Sequence, residues 1–389
     1  MSRPRLDVAE VLRRYQDEYL AAHGVSPQQR RVLRDLIACR TAALGGHLRR
    51  CQACGHEQIA YNSCRNRHCP KCQGQKQAHW LEAQRANLLD VPYYHIVFTL
   101  PEALGPLALQ NKRTLYGLLF RAAAETLQTI ARDERHLGAR IGFTAVLHTW
   151  GQRLEHHPHV HCVVPAGGLC PDGQRWILAR AGFFLPVRVL SRLFRGKYLA
   201  YLREAYQAGY LVLAGRLKGL AQSCAWQAFL APLYTMDWVV YAKPPFGSPE
   251  QVLKYLAQYT HRVAISNRRL LSLEDGQVAF RYKDYRRGQR ECVMRLTAVE
   301  FMRRFLLHVL PKGFVRIRHY GFLANRCRRD NLRLCRRLLG SLAPPGPEPT
   351  LAPDAAACEG HTRCPACRQA PMLIVAKLPP SRAGPNHAA

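Results

Sequence analysis

A chain of 389 residues with 57 lysines and arginines against 26 aspartates and glutamates carries a net charge of +31. That excess is too large for surface solvation alone and points to a polyanionic partner, nucleic acid first. No apolar run approaches the roughly 18 residues of a spanning helix, and Met1-Ser2-Arg3-Pro4-Arg5-Leu6-Asp7 has no apolar signal core, which argues against a membrane partner and makes a cytoplasmic location the expectation.

The first predicted elements are two helices. Val8, Val11, Leu12, Tyr15 and Tyr19, then Val32, Leu33, Leu36 and Ile37, recur at helical spacing across residues 6 to 44. Between them Ser26 is a candidate N-cap with Pro27 at the first helical position. The fifteen cysteines read as zinc thiolates rather than a disulfide framework. Cys51-Gln52-Ala53-Cys54 and, after fourteen residues, Cys69-Pro70-Lys71-Cys72 have the spacing of two knuckles closing one tetrahedral four-thiolate zinc site. Cys64, His56 and His68 lie inside that loop and leave open a three-thiolate, one-histidine set or a second ion. The surrounding Arg49, Arg50, Arg65, Arg67, Lys71 and Lys76 suit a structural module facing DNA better than a redox dithiol.

Tyr93 to Pro101 reads as a buried strand, 111 to 133 as a long helix, and Ile141 to Trp150 as a second strand. Directly after it comes His156-His157-Pro158-His159-Val160-His161-Cys162-Val163-Val164-Pro165. If residues 159 to 164 are a strand, His159 and His161 share one face while Val160, Cys162 and Val164 pack behind. Two imidazoles on a rigid strand form half of a small open site for a divalent cation. The order of elements predicts an α+β fold: an antiparallel sheet of the split β-α-β type, one face covered by helices and the other open, preceded by a zinc-ribbon-like domain.

A basic helical pair at about 188 to 221 and a strand from Met236 to Lys243 follow. A helix opening at Ser248 and Pro249, with Gln251 three residues after the cap, carries Tyr255 and Tyr259 one above the other. Strands 277 to 284 and 291 to 297 make a hairpin around Arg286-Arg287-Gly288-Gln289, and Thr297 with Glu300 caps the next helix. Segment 281 to 337 holds seventeen lysines and arginines, four acids, and the interleaved Phe314, His319, Tyr320 and Phe322, a composition suited to single-stranded nucleic acid. The tail from Ser341 reads as a flexible linker ending in a possible second zinc knuckle, Cys358, His361, Cys364 and Cys367. The expected domains are thus 1–88 (helical and zinc-binding), 90–270 (catalytic), 271–340 (basic extension) and 341–389 (tail). Arg65, Arg67, Lys71, Arg262, Arg268, Arg269, Arg316, Arg318 and Arg326 are the expected DNA contacts.

A metal on two histidines, facing two phenols on a basic surface, is a layout for phosphoryl transfer to tyrosine, giving a phosphotyrosine and a free 3′ hydroxyl. His159-Val160-His161 resembles the His-hydrophobe-His signature of the HUH endonucleases, and Phe98-Thr99-Leu100 resembles their first motif. More narrowly, YNSCRNRHCPKCQ (61–73), YYHIVFTLP (93–101), HHPHVHCVVPAGG (156–168) and YLAQYTHRVAISNRRL (255–270) resemble the rolling-circle transposases of the insertion sequence 91 family. The resemblance runs from about residue 30 to residue 335. It implies an N-terminal zinc domain, Mg²⁺ or Mn²⁺ on His159 and His161, Tyr255 and Tyr259 as the nucleophile pair, and single-stranded element ends and target DNA as partners. The motif leaves the third metal ligand open; Gln258 is the first candidate, then His261 and Glu155. Two rivals share part of this layout. A plasmid replication initiator has no evident use for the zinc module, and a zinc-binding regulator none for the histidines and tyrosines. A carboxylate-triad transposase finds few acids to work with.

Overall fold

The computed structural model describes residues 6–74, 84–85, 87–180, 184–246, 251–252, 263–284, 288, 290–340 and 363–381. In chain order the strands are β1 Gly46–Cys51, β2 Glu57–Tyr61, β3 Tyr93–Thr99, β4 Gly142–Trp150, β5 His156–Pro165, β6 Gly167–Leu169, β7 Trp176–Leu178, β8 Val240–Phe246, β9 Leu270–Glu274, β10 Gln277–Asp284, β11 Arg290–Thr297, β12 Ile317–Gly321 and β13 Met372–Leu378. The chain divides into two units, residues 1–76 with 265–309 and 347–389, and residues 77–264 with 310–346.

These units cut across the linear four-part division expected from the sequence. The supposed basic extension is shared between the units. Its hairpin and the helix Ala298–Leu307 belong to the first, because Phe301, Met302, Phe305 and Leu306 on that helix are buried and it packs on the helix Val8–Ala22. Its remainder belongs to the second, because β12 pairs with β4. The described end of the tail is likewise no free linker, since β13 pairs antiparallel with β1.

In the first unit the expected helices form where the capping signals stand. Ser26 and Gln29 make a reciprocal capping box at the start of Pro27–Ile37, satisfying two backbone donors that a helix N-terminus leaves unpaired. Two three-stranded sheets accompany them, ordered β13-β1-β2 and β11-β10-β9.

The second unit is built on a five-stranded sheet ordered β12-β4-β5-β3-β8, antiparallel at every pairing. One face carries Ile96, Phe98, Leu147, Val160, Cys162 and Val164 into the main core, together with the apolar stripe of the helix Lys112–Arg132. Burying each large apolar side chain there contributes about 1.5–3 kcal/mol, so this face fixes which way the alternate residues point. β12 closes against β4 at Gly321, whose φ is +59° and whose missing Cβ would lie 1.8 Å from the Ile141 carbonyl oxygen. Only glycine fits there.

The opposite face is not wholly open, as the sequence led one to expect. At one end Leu332 and Cys335 of the helix Arg328–Leu338 pack with Tyr93 and Val163 in a second core. On the edge strand β8 Tyr241 and Lys243 are exposed. Among the described residues no helix is long and apolar enough to cross a membrane.

Candidate active site and metal centres

Cross-strand register assembles the histidines. His159 on β5 lies directly opposite His148 on β4, and His161 opposite Val146 and Val97. Directly paired residues of antiparallel strands share a face, so His148, His159 and His161 project together from the side away from the main core. Their ligand atoms all lie within 4.8 Å of one another. The expected pair is therefore a triad, and its third member is His148. Glu155 stands outside it, its carboxylate accepting from the Arg153 amide at 2.9 Å within the β4–β5 turn. Gln258 and His261 lie outside the described residues, as do Tyr255, Tyr259 and Arg262.

Hydrogen bonds on the far side of two rings set their orientation. His159 Nδ1 donates to the His157 carbonyl at 2.6 Å. His161 Nδ1 is 2.8 Å from Nε2 of His95 on β3, both rings buried and nearly parallel at 12°. Burial first, then the nearby Lys243 charge, pushes His95 down to about 3, so at neutral pH one N–H serves that pair. In both rings Nδ1 is thereby engaged and Nε2 is left for an ion, the arrangement by which a metal-binding imidazole is held in one tautomer. His148 is braced instead by stacking on Trp150, ring centres 4.7 Å apart. Three imidazoles converging within bonding range of a single ion fit a divalent cation.

The zinc ligands pair differently from the expectation. Cys69 and Cys72 do not meet Cys51 and Cys54. They cluster with Cys39 and Cys64, while Cys51 and Cys54 cluster with Cys364 and Cys367. In the first cluster Cys39 Sγ is 3.6 Å from the sulfurs of both Cys69 and Cys72, and Cys64 is 3.6 Å from Cys72. A tetrahedron with Zn–S bonds of ~2.3 Å has edges of ~3.8 Å, so these thiols fit one zinc ion. The reason for the correction lies in the sheet. β1 ends at Cys51 and β2 starts at Glu57, so the first knuckle forms the tip of a hairpin and the chain returns along β2 before it reaches Cys64. Cys358 and His361 lie outside the described residues.

The proposed DNA contacts are scattered. Arg65, Arg268 and Arg326 are exposed. Lys71 is engaged with Asp7 at 2.8 Å, and Arg269 donates to the Arg281 carbonyl at 2.7 Å. Arg67 is half-buried, and burial lowers its pKa from the usual value. Arg316 is buried, and Arg318 projects from the helix-covered face, its guanidinium over the rings of Phe120 and Phe314. Neither suits a first contact with a phosphate.

Sequence reasoning missed His148, His95 and Cys39. His95 shares a strand face with Val97, but only the pairing of Val97 with His161 shows what that face meets. Cys39 stands alone, without a Cys-x-x-Cys partner, and offers no spacing signal.

A helix-backed antiparallel sheet presenting a histidine triad, joined to thiolate clusters, is the layout of an HUH-type DNA-cleaving enzyme with a zinc-binding module. The comparisons agree. The family described as "Transposase zinc-binding domain" matches residues 11–100, and the one described as "Putative transposase" matches residues 142–331. The chain is 56% identical over 383 residues to "Putative transposase y4qJ" of Sinorhizobium fredii, covering 96% of each chain. It is 32% identical over 323 residues to the transposase for insertion sequence element IS801 of Pseudomonas savastanoi pv. phaseolicola, covering 81% of this chain and 75% of that one. The chain belongs to the insertion sequence 91 family of rolling-circle transposases. Among solved structures, one of TrwC complexed with a 27-mer DNA comprising the recognition hairpin and the cleavage site aligns over 45% of this chain and 68% of that one, at 16% identity and a TM-score of 0.23.

Proposed function

We propose that this transposase nicks single-stranded element ends through a tyrosine, Tyr255 or Tyr259, and passes the strand to target DNA by a rolling-circle route. The observation that carries the proposal is the triad of His148, His159 and His161 on the face of the sheet away from the main core, within 4.8 Å of one another. The tyrosine assignment rests on their spacing of four along the motif 255–270 and on the family. Of Mg²⁺ and Mn²⁺, an all-imidazole set favours Mn²⁺. His148, His159 and His161 would hold such a cation, which would supply Lewis-acid polarisation of the scissile phosphate. The phenol loses its proton to solvent, its oxygen bonds to phosphorus, and the bond to the 3′ oxygen breaks, that oxygen taking up a proton from solvent to leave a 5′-phosphotyrosine and a free 3′ hydroxyl. Unperturbed tyrosine titrates near 10, so the positive field of the chain lowers the cost of that proton loss.

The test is a denaturing gel for a covalent protein–DNA adduct, using labelled single strands from the element's ends with and without Mn²⁺. A metal-dependent adduct that vanishes in the Tyr255→Phe/Tyr259→Phe double variant is the expected result, and the single variants report which phenol cuts first. Tight binding with no adduct on any strand or metal would overturn the reading.

A further inference from the structure

We propose that Cys51, Cys54, Cys364 and Cys367 form a second zinc site, and that its ion holds the C-terminal segment 363–381 on the first unit. The zinc-binding family match ends at residue 100, so Cys364 and Cys367 fall outside it. Yet the sulfurs of Cys51 and Cys367 are 3.6 Å apart, and so are those of Cys54 and Cys364. All four ligand atoms lie within 4.8 Å of one another, and the spacing again matches the edge of a zinc–thiolate tetrahedron, ~3.8 Å.

Each pair sits on a tight turn of its own. Gly55 N–H donates to the Cys51 carbonyl at 3.1 Å and Cys51 N–H to the His56 carbonyl at 2.9 Å. In the second knuckle Arg368 N–H donates to the Cys364 carbonyl, and Cys364 N–H to the Ala370 carbonyl, both at 2.9 Å. The sheet brings the two turns together. β1 ends at Cys51 and β13 begins at Met372, and in the antiparallel ladder these two residues are direct partners. At the other end of that ladder Gly45 has φ +67° and admits no Cβ, which would lie 2.5 Å from the Leu378 carbonyl oxygen.

What the segment buries decides what holds it. Across 363–381 only Cys364 and Met372 are buried, and Ile374 and Val375 of β13 are exposed. Two side chains and an edge ladder cannot offset the entropy of ordering such a stretch. A zinc ion bound by thiolates from both ends of the chain can, because its binding free energy becomes folding free energy for the groups it joins. The two sites also differ in access. Cys39, Cys69 and Cys72 are buried and Cys64 half-buried, whereas in the second site Cys54 is exposed and Cys367 half-buried. The second ion is therefore the first to yield to a chelator.

The experiment measures zinc per chain by elemental analysis, and amide exchange of β13, in the full-length protein during a graded chelator titration. The wild type is expected to hold two zinc ions and the Cys364→Ser/Cys367→Ser variant one. Removal of the first equivalent should speed β13 exchange by about tenfold or more while β10 stays protected. One zinc in the wild type, two in the double variant, or β13 protection unchanged after the first equivalent has left would each overturn the proposal. The chelator titration needs no variant, so poor folding of the serine protein leaves the test intact.

Discussion

Nδ1 of His161 and Nε2 of His95 stand 2.8 Å apart in the interior of the sheet, one ring on each of two paired strands. His95 is not one of the three converging rings, His148, His159 and His161. The expected role of His95 is to keep the His161 ring turned, a role separable by experiment from that of the ligands themselves.

Replacing His95 by phenylalanine keeps a buried ring and removes the hydrogen bond. Mn²⁺ affinity, measured by calorimetry or electron paramagnetic resonance on the DNA-free protein, should fall ~10–100-fold. Adduct formation should recover at high Mn²⁺, and affinity for single strands should stay at the wild-type value. An unchanged Mn²⁺ affinity would remove His95 from this role.

His148→Ala should lose Mn²⁺ binding and adduct formation, whereas Glu155→Gln should keep both. Glu155 is held by the Arg153 amide in its own turn and stands apart from the three imidazoles. Metal binding lost in Glu155→Gln and kept in His148→Ala would reverse the assignment of the third ligand.

Acid should unfold the second unit earlier than its carboxylates require. Burial pushes His156 down to about 3 and His319 to about 4, from an ordinary value near 6.5. The unfolded chain then binds more protons than the folded one at intermediate pH. Stability is full above about 6.5 and declines as pH falls through the folded values. His319 is paired with Thr144 Oγ1 at 3.0 Å, so His319→Gln can preserve a hydrogen bond without titrating. Thermal melts between pH 7 and pH 4.5 should show a shallower decline in that variant, by about 1.4 kcal/mol per pH unit for one proton. Parallel declines in the two proteins would refute the assignment.

Two arginines separate DNA contact from packing. Exposed Arg326 should contribute one phosphate contact, so Arg326→Ala should reduce the slope of log affinity against log salt by about 1. Arg318 lies over Phe120 at 4.2 Å on the core side. Arg318→Ala should leave that slope alone and lower stability by ~1–2 kcal/mol. A reduced slope for Arg318→Ala alone would exchange the two roles.

Local signals were legible where the chemistry is local. The Ser26 cap, the alternation that puts His159 and His161 on one face of β5, and the buried run of β3 could all be read residue by residue. What escaped depends on pairing. Trp150 stands opposite His156, and counting back without interruption would set His148 opposite Pro158, on the core face. An irregularity between His148 and Trp150 slips the register so that His148 meets His159 instead. No spacing rule announces such a slip. The same holds for the thiolates, since Cys54 and Cys364 are 310 positions apart in the chain and are joined only through the pairing of β1 with β13. Arg318 read as a DNA contact because composition carries charge but says nothing of which side of β12 it leaves from.

The interleaving of the two units has a consequence for synthesis. The catalytic sheet needs β12, which ends at Gly321, and the thiolate-bearing sheet needs β13, which ends at Leu378. A ribosome must therefore translate most of this chain before either sheet can close. A chain cut short before β12 would lack an edge strand of each of these two sheets.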